Sequence, residues 1–191
     1  VEQGRKYSDA LDEKAMEYWC KASMTLRGIM QHGEIAQEIK DRSYTYYDEI
    51  MYGIANEYFW TDKYEETLKA CNKLNAKDDV IVETIKTYCD LHILVEICRK
   101  LVGGIEGGED KVFPFVNDGG LQDCFKRFGI LDKLTEQECK SIAQQTSQAK
   151  KVTFSWILYN LSCVFLSGRS GNLWIVEPDE DKALRYWKLR K

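Results

Sequence analysis

The chain predicts an all-α fold of antiparallel helix pairs, either solenoid-like or an irregular helical bundle. Three observations predict it. Apolar residues recur at three- and four-residue spacing along most of the 191 residues, and strand-type alternation is scarce. Only two prolines occur, Pro114 and Pro178, so long stretches carry no helix breaker. Hydrophobic residues make up 44%, enough for a packed core and too many for a disordered chain.

The first predicted helix runs from about Asp9 to Met30, with Leu11, Ala15, Trp19, Ala22, Leu26 and Ile29 on one stripe, and Gly33 ends it. A second runs from about Glu34 to Trp60. It carries two stripes: Ile35, Ile39, Tyr46, Ile50, Ile54 and Tyr58, then Tyr47, Met51, Ala55 and Phe59. So wide an apolar arc packs on two neighbours or keeps one face for a partner. Thr61-Asp62 predicts a cap for a short third helix with Tyr64, Leu68, Cys71 and Leu74. Asp78-Asp79 opens a fourth, carrying Val82, Ile85, Cys89, His92, Val95 and Leu101.

The segment Gly103 to Asp110 holds four glycines and cannot stay helical cheaply. It predicts a domain boundary: an N-terminal helical half over 1–102, a Gly-rich linker over 103–120 and a C-terminal helical half over 121–191. A short helix over Leu121 to Phe128 is closed by Gly129. Thr135-Glu136-Gln137-Glu138 reads as a capping box opening a helix to about Lys150. The apolar stretch Val152 to Leu166 is too short and too interrupted to span a membrane, and reads as a core helix. Ser167 to Asn172 is a turn, and Pro178 occupies the first turn of the last helix.

Charge and cysteine usage narrow the function. Net charge is −4, with Lys and Arg interspersed among acids, which argues against a nucleic-acid partner. Seven cysteines fall mostly at apolar helical positions without a Cys-x-x-Cys pair, the pattern of reduced thiols in an intracellular protein, cytoplasmic or nuclear. No signal peptide or membrane-spanning stretch is visible. The start at Val1 without Met and the end at Lys191 inside a helical pattern predict a piece of a longer protein.

No reaction is legible. His32 and His92 are the only histidines, no Glu-x-x-His pair occurs, and no nucleophile motif accompanies them, so neither a catalytic triad nor a metal or cofactor is expected. The glycine segment lacks the Lys-Ser/Thr ending of a phosphate loop and carries acids that repel anions. Arg169 reads as a solvated turn residue, and Asn160-Leu161-Ser162 lies inside a helix, out of reach of glycosylation. The best functional candidates are aromatic. Tyr44, Tyr47, Met51, Tyr52, Phe59, Trp60 and Tyr64 lie on one long helix and its exit, a candidate partner surface. Inter-helix packing is the competing reading of the same residues.

Two segments share one pattern. Asp12-Glu13-Lys14-Ala15-Met16-Glu17-Tyr18-Trp19 and Glu180-Asp181-Lys182-Ala183-Leu184-Arg185-Tyr186-Trp187 both read acidic, acidic, Lys-Ala-x-x-Tyr-Trp. Ala one turn before Trp lets a neighbouring helix approach while Trp fills the gap, so Trp19 and Trp187 are both expected to be packed anchors. Tyr159-Asn160-Leu161, Phe165-Leu166-Ser167-Gly168-Arg169-Ser170-Gly171 and Val176 to Trp187 together resemble a Sel-one-like repeat, of the tetratricopeptide-type α-solenoids. Lys14 to Ala22 resembles the second helix of such a repeat. The resemblance covers the ends of the chain, with residues 172–175 as an insertion, and the two Lys-Ala motifs lie several repeat lengths apart. It implies a non-catalytic scaffold or adaptor that binds a protein or peptide. A helical accessory domain of a larger enzyme is the alternative.

Overall fold

The computed structural model describes residues 14–33, 35–75, 79–103, 120–171 and 173–190. Among these residues the fold is all-α, with eight α-helices, one 3-10 helix and one two-residue antiparallel ribbon. The helices are α1 (Lys14–Gln31), α2 (Gln37–Trp60), α3 (Tyr64–Cys71), α4 (Val80–Val102), α5 (Gly120–Arg127), α6 (Glu136–Gln144), α7 (Gln148–Ser167) and α8 (Glu180–Leu189). The 3-10 helix Phe128–Lys133 follows α5, and strands β1 (Arg169–Ser170) and β2 (Leu173–Trp174) precede α8. Two compact units form, one up to Asp79 and one from Val80. Helix α4 therefore belongs with the C-terminal elements, whereas the glycine-based division groups it with the N-terminal half. Most of that glycine segment, residues 104–119, lies outside the described residues.

The first unit is built on α2. Trp19 of α1 lies against Gly53 of α2, where an added Cβ would sit 2.6 Å from the indole ring. Arg27 donates to the Tyr47 hydroxyl at 3.1 Å. The pairs 19–53 and 27–47 run in opposite directions, so α1 and α2 are antiparallel. On the other side, the Thr67 hydroxyl of α3 donates to the Ala55 carbonyl at 3.4 Å, and Asn75 binds Asp48, again an antiparallel order. The wide apolar arc of α2 is thus spent on two neighbours. Tyr47, Met51, Ala55 and Phe59 are buried with Ile50 and Ile54, while Ile39 and Tyr46 of the other stripe are exposed.

The Thr61-Asp62 cap is corrected. Asp62 takes a left-handed backbone, φ 58°, in a tight turn. The Thr61 hydroxyl donates back to the Glu57 carbonyl at 2.9 Å and closes α2 instead of opening α3.

The second unit pairs α4 with α5 through Asp90 and Arg127, 2.7 Å apart. Gly129 does not end the chain's helical path, because the 3-10 helix continues through it to Lys133. The capping box at Thr135 forms as expected: Glu138 N–H donates to the Thr135 hydroxyl at 3.2 Å, and Glu138 accepts from the Thr135 backbone at 2.8 Å. The helix it opens ends at Gln144, and Ser147 caps α7 separately, earlier than the predicted break.

Helices α7 and α8 form the antiparallel hairpin at the centre of the second unit. Gly168 closes α7 with φ 68°, and an added Cβ there would meet the Val176 carbonyl oxygen at 2.6 Å, so the turn requires glycine. Of the predicted insertion, Leu173 and Trp174 form β2, paired with β1, and Leu173 and Ile175 are buried, while residue 172 lies outside the described residues. Asp179, not Pro178, begins the last helix, its carboxylate accepting from Lys182 N–H at 2.9 Å. Pro178 precedes the cap.

Candidate functional site

The shared Lys-Ala-x-x-Tyr-Trp motif is used in two ways. In α1 the buried residues are Ala15 and Trp19, one turn apart. In α8 they are Ala183, Tyr186 and Leu189, a stripe of three-residue steps. That rotates the motif, so Tyr186 takes the core position and Trp187 is 37% exposed. The expectation of a packed Trp187 is therefore corrected, while Trp19 is buried as expected.

Tyr186 is held by a local polar network. Its hydroxyl donates to Asp132 at 3.1 Å, and burial beside that carboxylate pushes the phenol well above its ordinary range. The neighbouring Arg185 donates through Nη2 to the carbonyls of Leu131, Asp132 and Leu134. A guanidinium thus closes the carbonyl end of the 3-10 helix, where its positive charge is favoured. Lys182 completes the group at 3.3 Å from Asp132. These contacts orient α8 and leave Trp187 outward.

An apolar surface results. On α7, Val152, Tyr159 and Leu166 recur every seven residues on the side opposite the buried Ile157, Leu158 and Leu161, and all three are exposed. On α8, Leu184 and Trp187 are one turn apart and exposed. Tyr159 and Trp187 meet with ring centroids 6.0 Å apart, joining the two helices. The Arg190 guanidinium lies 4.0 Å from the Trp187 ring and 5.2 Å from that of Tyr159, stacked on both.

Beside this surface lies a cleft of about 560 Å³. One wall is the α6 face bearing Cys139, Lys140, Ala143 and Gln144; the other is the α7 face bearing Gln148, Lys151, Val152, Ser155 and Tyr159. The end of α8 forms the floor. There the Leu189 carbonyl accepts from the Cys139 thiol at 3.2 Å and the Arg190 carbonyl from Ser155 at 3.4 Å. Lys140, Lys151 and Arg190 line the cleft, and no acidic residue does.

The aromatic residues singled out on α2 divide. Tyr47, Met51, Tyr52 and Phe59 are core residues, each no more than 6% exposed. Their side chains face neighbouring helices and offer a partner no surface. Tyr64 is half-buried against the edge of Phe59 and donates its hydroxyl to Asp62. Tyr44 and Trp60 are exposed, as is Tyr46, which points to a different side of the helix from Tyr44. Tyr44 and Trp60 stand about 24 Å apart along the helix axis, too far to share one patch. The α7/α8 surface escaped the sequence reading because α7 looked uniformly apolar. The seven-residue spacing of Val152, Tyr159 and Leu166 was the available signal.

Other chemistry is sparse among the described residues. No cluster of three or more His, Cys, Asp or Glu side chains could hold a metal ion. No helix is long and apolar enough to cross a membrane. His92 packs on the Tyr88 ring, centroids 4.5 Å apart. Arg169 is exposed, and its guanidinium stacks 4.0 Å from the Trp174 ring. Burial raises the thiols of Cys98, Cys124 and Cys139, the opposite of what a nucleophile needs. Fold and site together define an all-α protein of helix hairpins with an exposed aromatic-aliphatic face. Comparison with protein-family models, curated proteins and solved structures gave no match.

Proposed function

We propose that this chain is a non-catalytic protein–protein interaction scaffold or adaptor segment that engages a protein partner through the exposed face of α7 and α8. The observation that carries this reading is Trp187. A tryptophan 37% exposed, beside exposed Tyr159 and Leu184 and stacked under Arg190, is the composition of a binding hot spot. Apolar residues gathered on one face mark interaction sites more than scattered ones do. The Sel-one-like resemblance of the same hairpin supports a scaffold role. Tyr44, Tyr46 and Trp60 of α2 offer smaller, separated contacts.

The test is affinity capture from native extract with wild type and two double variants. Trp187→Ala with Leu184→Ser should lose captured protein while remaining folded, because the buried stripe of α8 is Ala183, Tyr186 and Leu189. Tyr44→Ala with Trp60→Ala should lose less. Equal recovery by wild type and a folded α8 variant would overturn the reading.

A further inference from the structure

We infer that the cleft between α6 and α7 is a docking groove for an acidic amphipathic helical segment of a partner protein; this rests on the scaffold reading above.

The walls carry the argument. Residues 139, 140, 143 and 144 occupy one face of α6, and 148, 151, 152, 155 and 159 one face of α7. The two helix faces meet at a short link and make an open trough, whose α7 wall runs about 17 Å, three helical turns, and whose α6 wall runs about 8 Å. Such troughs receive the apolar side of a third helix. Val152 and Tyr159 supply exposed apolar wall, and Tyr159 is shared with the neighbouring aromatic surface, so the groove continues it.

Charge selects the occupant. The whole chain is acidic, net −4, yet the groove is lined by three cations and no acid. Lys140 stands on one wall, Lys151 on the other and Arg190 at the end. The two wall lysines are exposed. A helix with aliphatic residues inward and Glu or Asp along both edges would meet a lysine on each side. A basic helix would be repelled, and a purely acidic one would leave Val152 and Tyr159 in water. No carboxylate lines the groove to pair with the two lysines, while Arg190 is already stacked on Tyr159 and Trp187, and the α8 carbonyls at the floor accept from Cys139 and Ser155. Complementary charge of this kind chooses between partners and speeds encounter.

The experiment uses three labelled peptides and fluorescence anisotropy. The first places Glu and Leu in amphipathic helical register. The second replaces every Glu by Lys. The third replaces every Leu by Ser. Wild type should bind the first at least about tenfold more tightly than either other, with affinity falling as salt rises. Lys140→Glu with Lys151→Glu should weaken the first peptide at least about tenfold and improve the second, since two surface attractions become two repulsions. Val152→Ser should weaken the first without changing its salt dependence. Equal binding of the first and second peptides, or of the first and third, would overturn the inference. So would unchanged affinity in the folded lysine variant, or no binding to wild type. If captured protein still depends on Trp187 and Leu184 in that case, the scaffold reading survives and only the groove assignment falls.

Discussion

Trp19 and Trp187 end the same eight-residue motif, yet they face opposite fates. Trp19→Ala should cost roughly 3–5 kcal/mol, since a large buried side chain leaves a cavity. Trp187→Ala should lower stability far less, because that ring is 37% exposed and packs mainly on Tyr159 and Arg190. Thermal melts of the two variants check the contrast; equal losses would contradict it. The partner of Trp19 gives a sharper sign test. Glycine inside a helix is ordinarily improved by alanine by roughly 0.5–1 kcal/mol. At Gly53 the new Cβ would meet the Trp19 ring at 2.6 Å, so Gly53→Ala should lower Tm instead. A raised Tm would mean that α1 can move aside.

The thiols predict a pH dependence. Burial raises the Cys98, Cys124 and Cys139 thiols in the folded chain. In the unfolded chain they ionise near about pH 8.5. A raised folded value means that their contribution is complete below about pH 8.5 and is lost as pH rises further. Melting temperature should therefore fall as pH is raised from 8 to 10, and less steeply in Cys124→Ala with Cys139→Ala. An equal slope in that variant would assign the alkaline loss to other groups. Tyr186, raised by the same cause, adds to the loss above about pH 10.

At the scale of elements, local chemistry was legible and orientation was not. The capping box at Thr135 is a short-range signal with one geometric solution, and it forms. Thr135→Ala should cost about 1 kcal/mol, measured by denaturant unfolding. The turn at Gly168 was equally readable. The rotation of α8 was not, because Tyr186 and Trp187 are adjacent aromatics and either could turn inward. Its buried stripe is chosen by Asp132 and three carbonyls more than fifty residues upstream, partners that no local pattern reveals. The same holds for α2. Its sequence announced two apolar stripes, but only the positions of α1 and α3 decide that Tyr47, Met51, Tyr52 and Phe59 are core while Tyr44 and Trp60 remain outside. The candidate surface thus moved from α2 to α7 and α8, where aliphatic and aromatic residues are mixed and composition alone gave no emphasis.

At the scale of the molecule, helices α1 to α3 and helices α4 to α8 form compact units that succeed one another in the chain. Deleting α8 should damage the second unit selectively. The helix has ten residues, too few to persist alone, so it exists by docking. Without it, the buried Phe165 ring loses Tyr186, which packs on its edge, and the chain truncated after Asp179 should bind more of a hydrophobic dye than the intact chain. Equal dye binding would place the stability of that unit elsewhere.

The lock between Arg185 and the 3-10 helix also orders events on the ribosome. The contacts described among α1, α2 and α3 have all been synthesised once the chain reaches Asn75, whose amide reaches back to Asp48. The second unit must wait for Arg185 and Tyr186, whose partners left the tunnel more than fifty residues earlier. From the synthesis of Ser167 until α8 follows, α7 stands without its antiparallel partner and its apolar flank is uncovered, a surface for a chaperone to hold during translation.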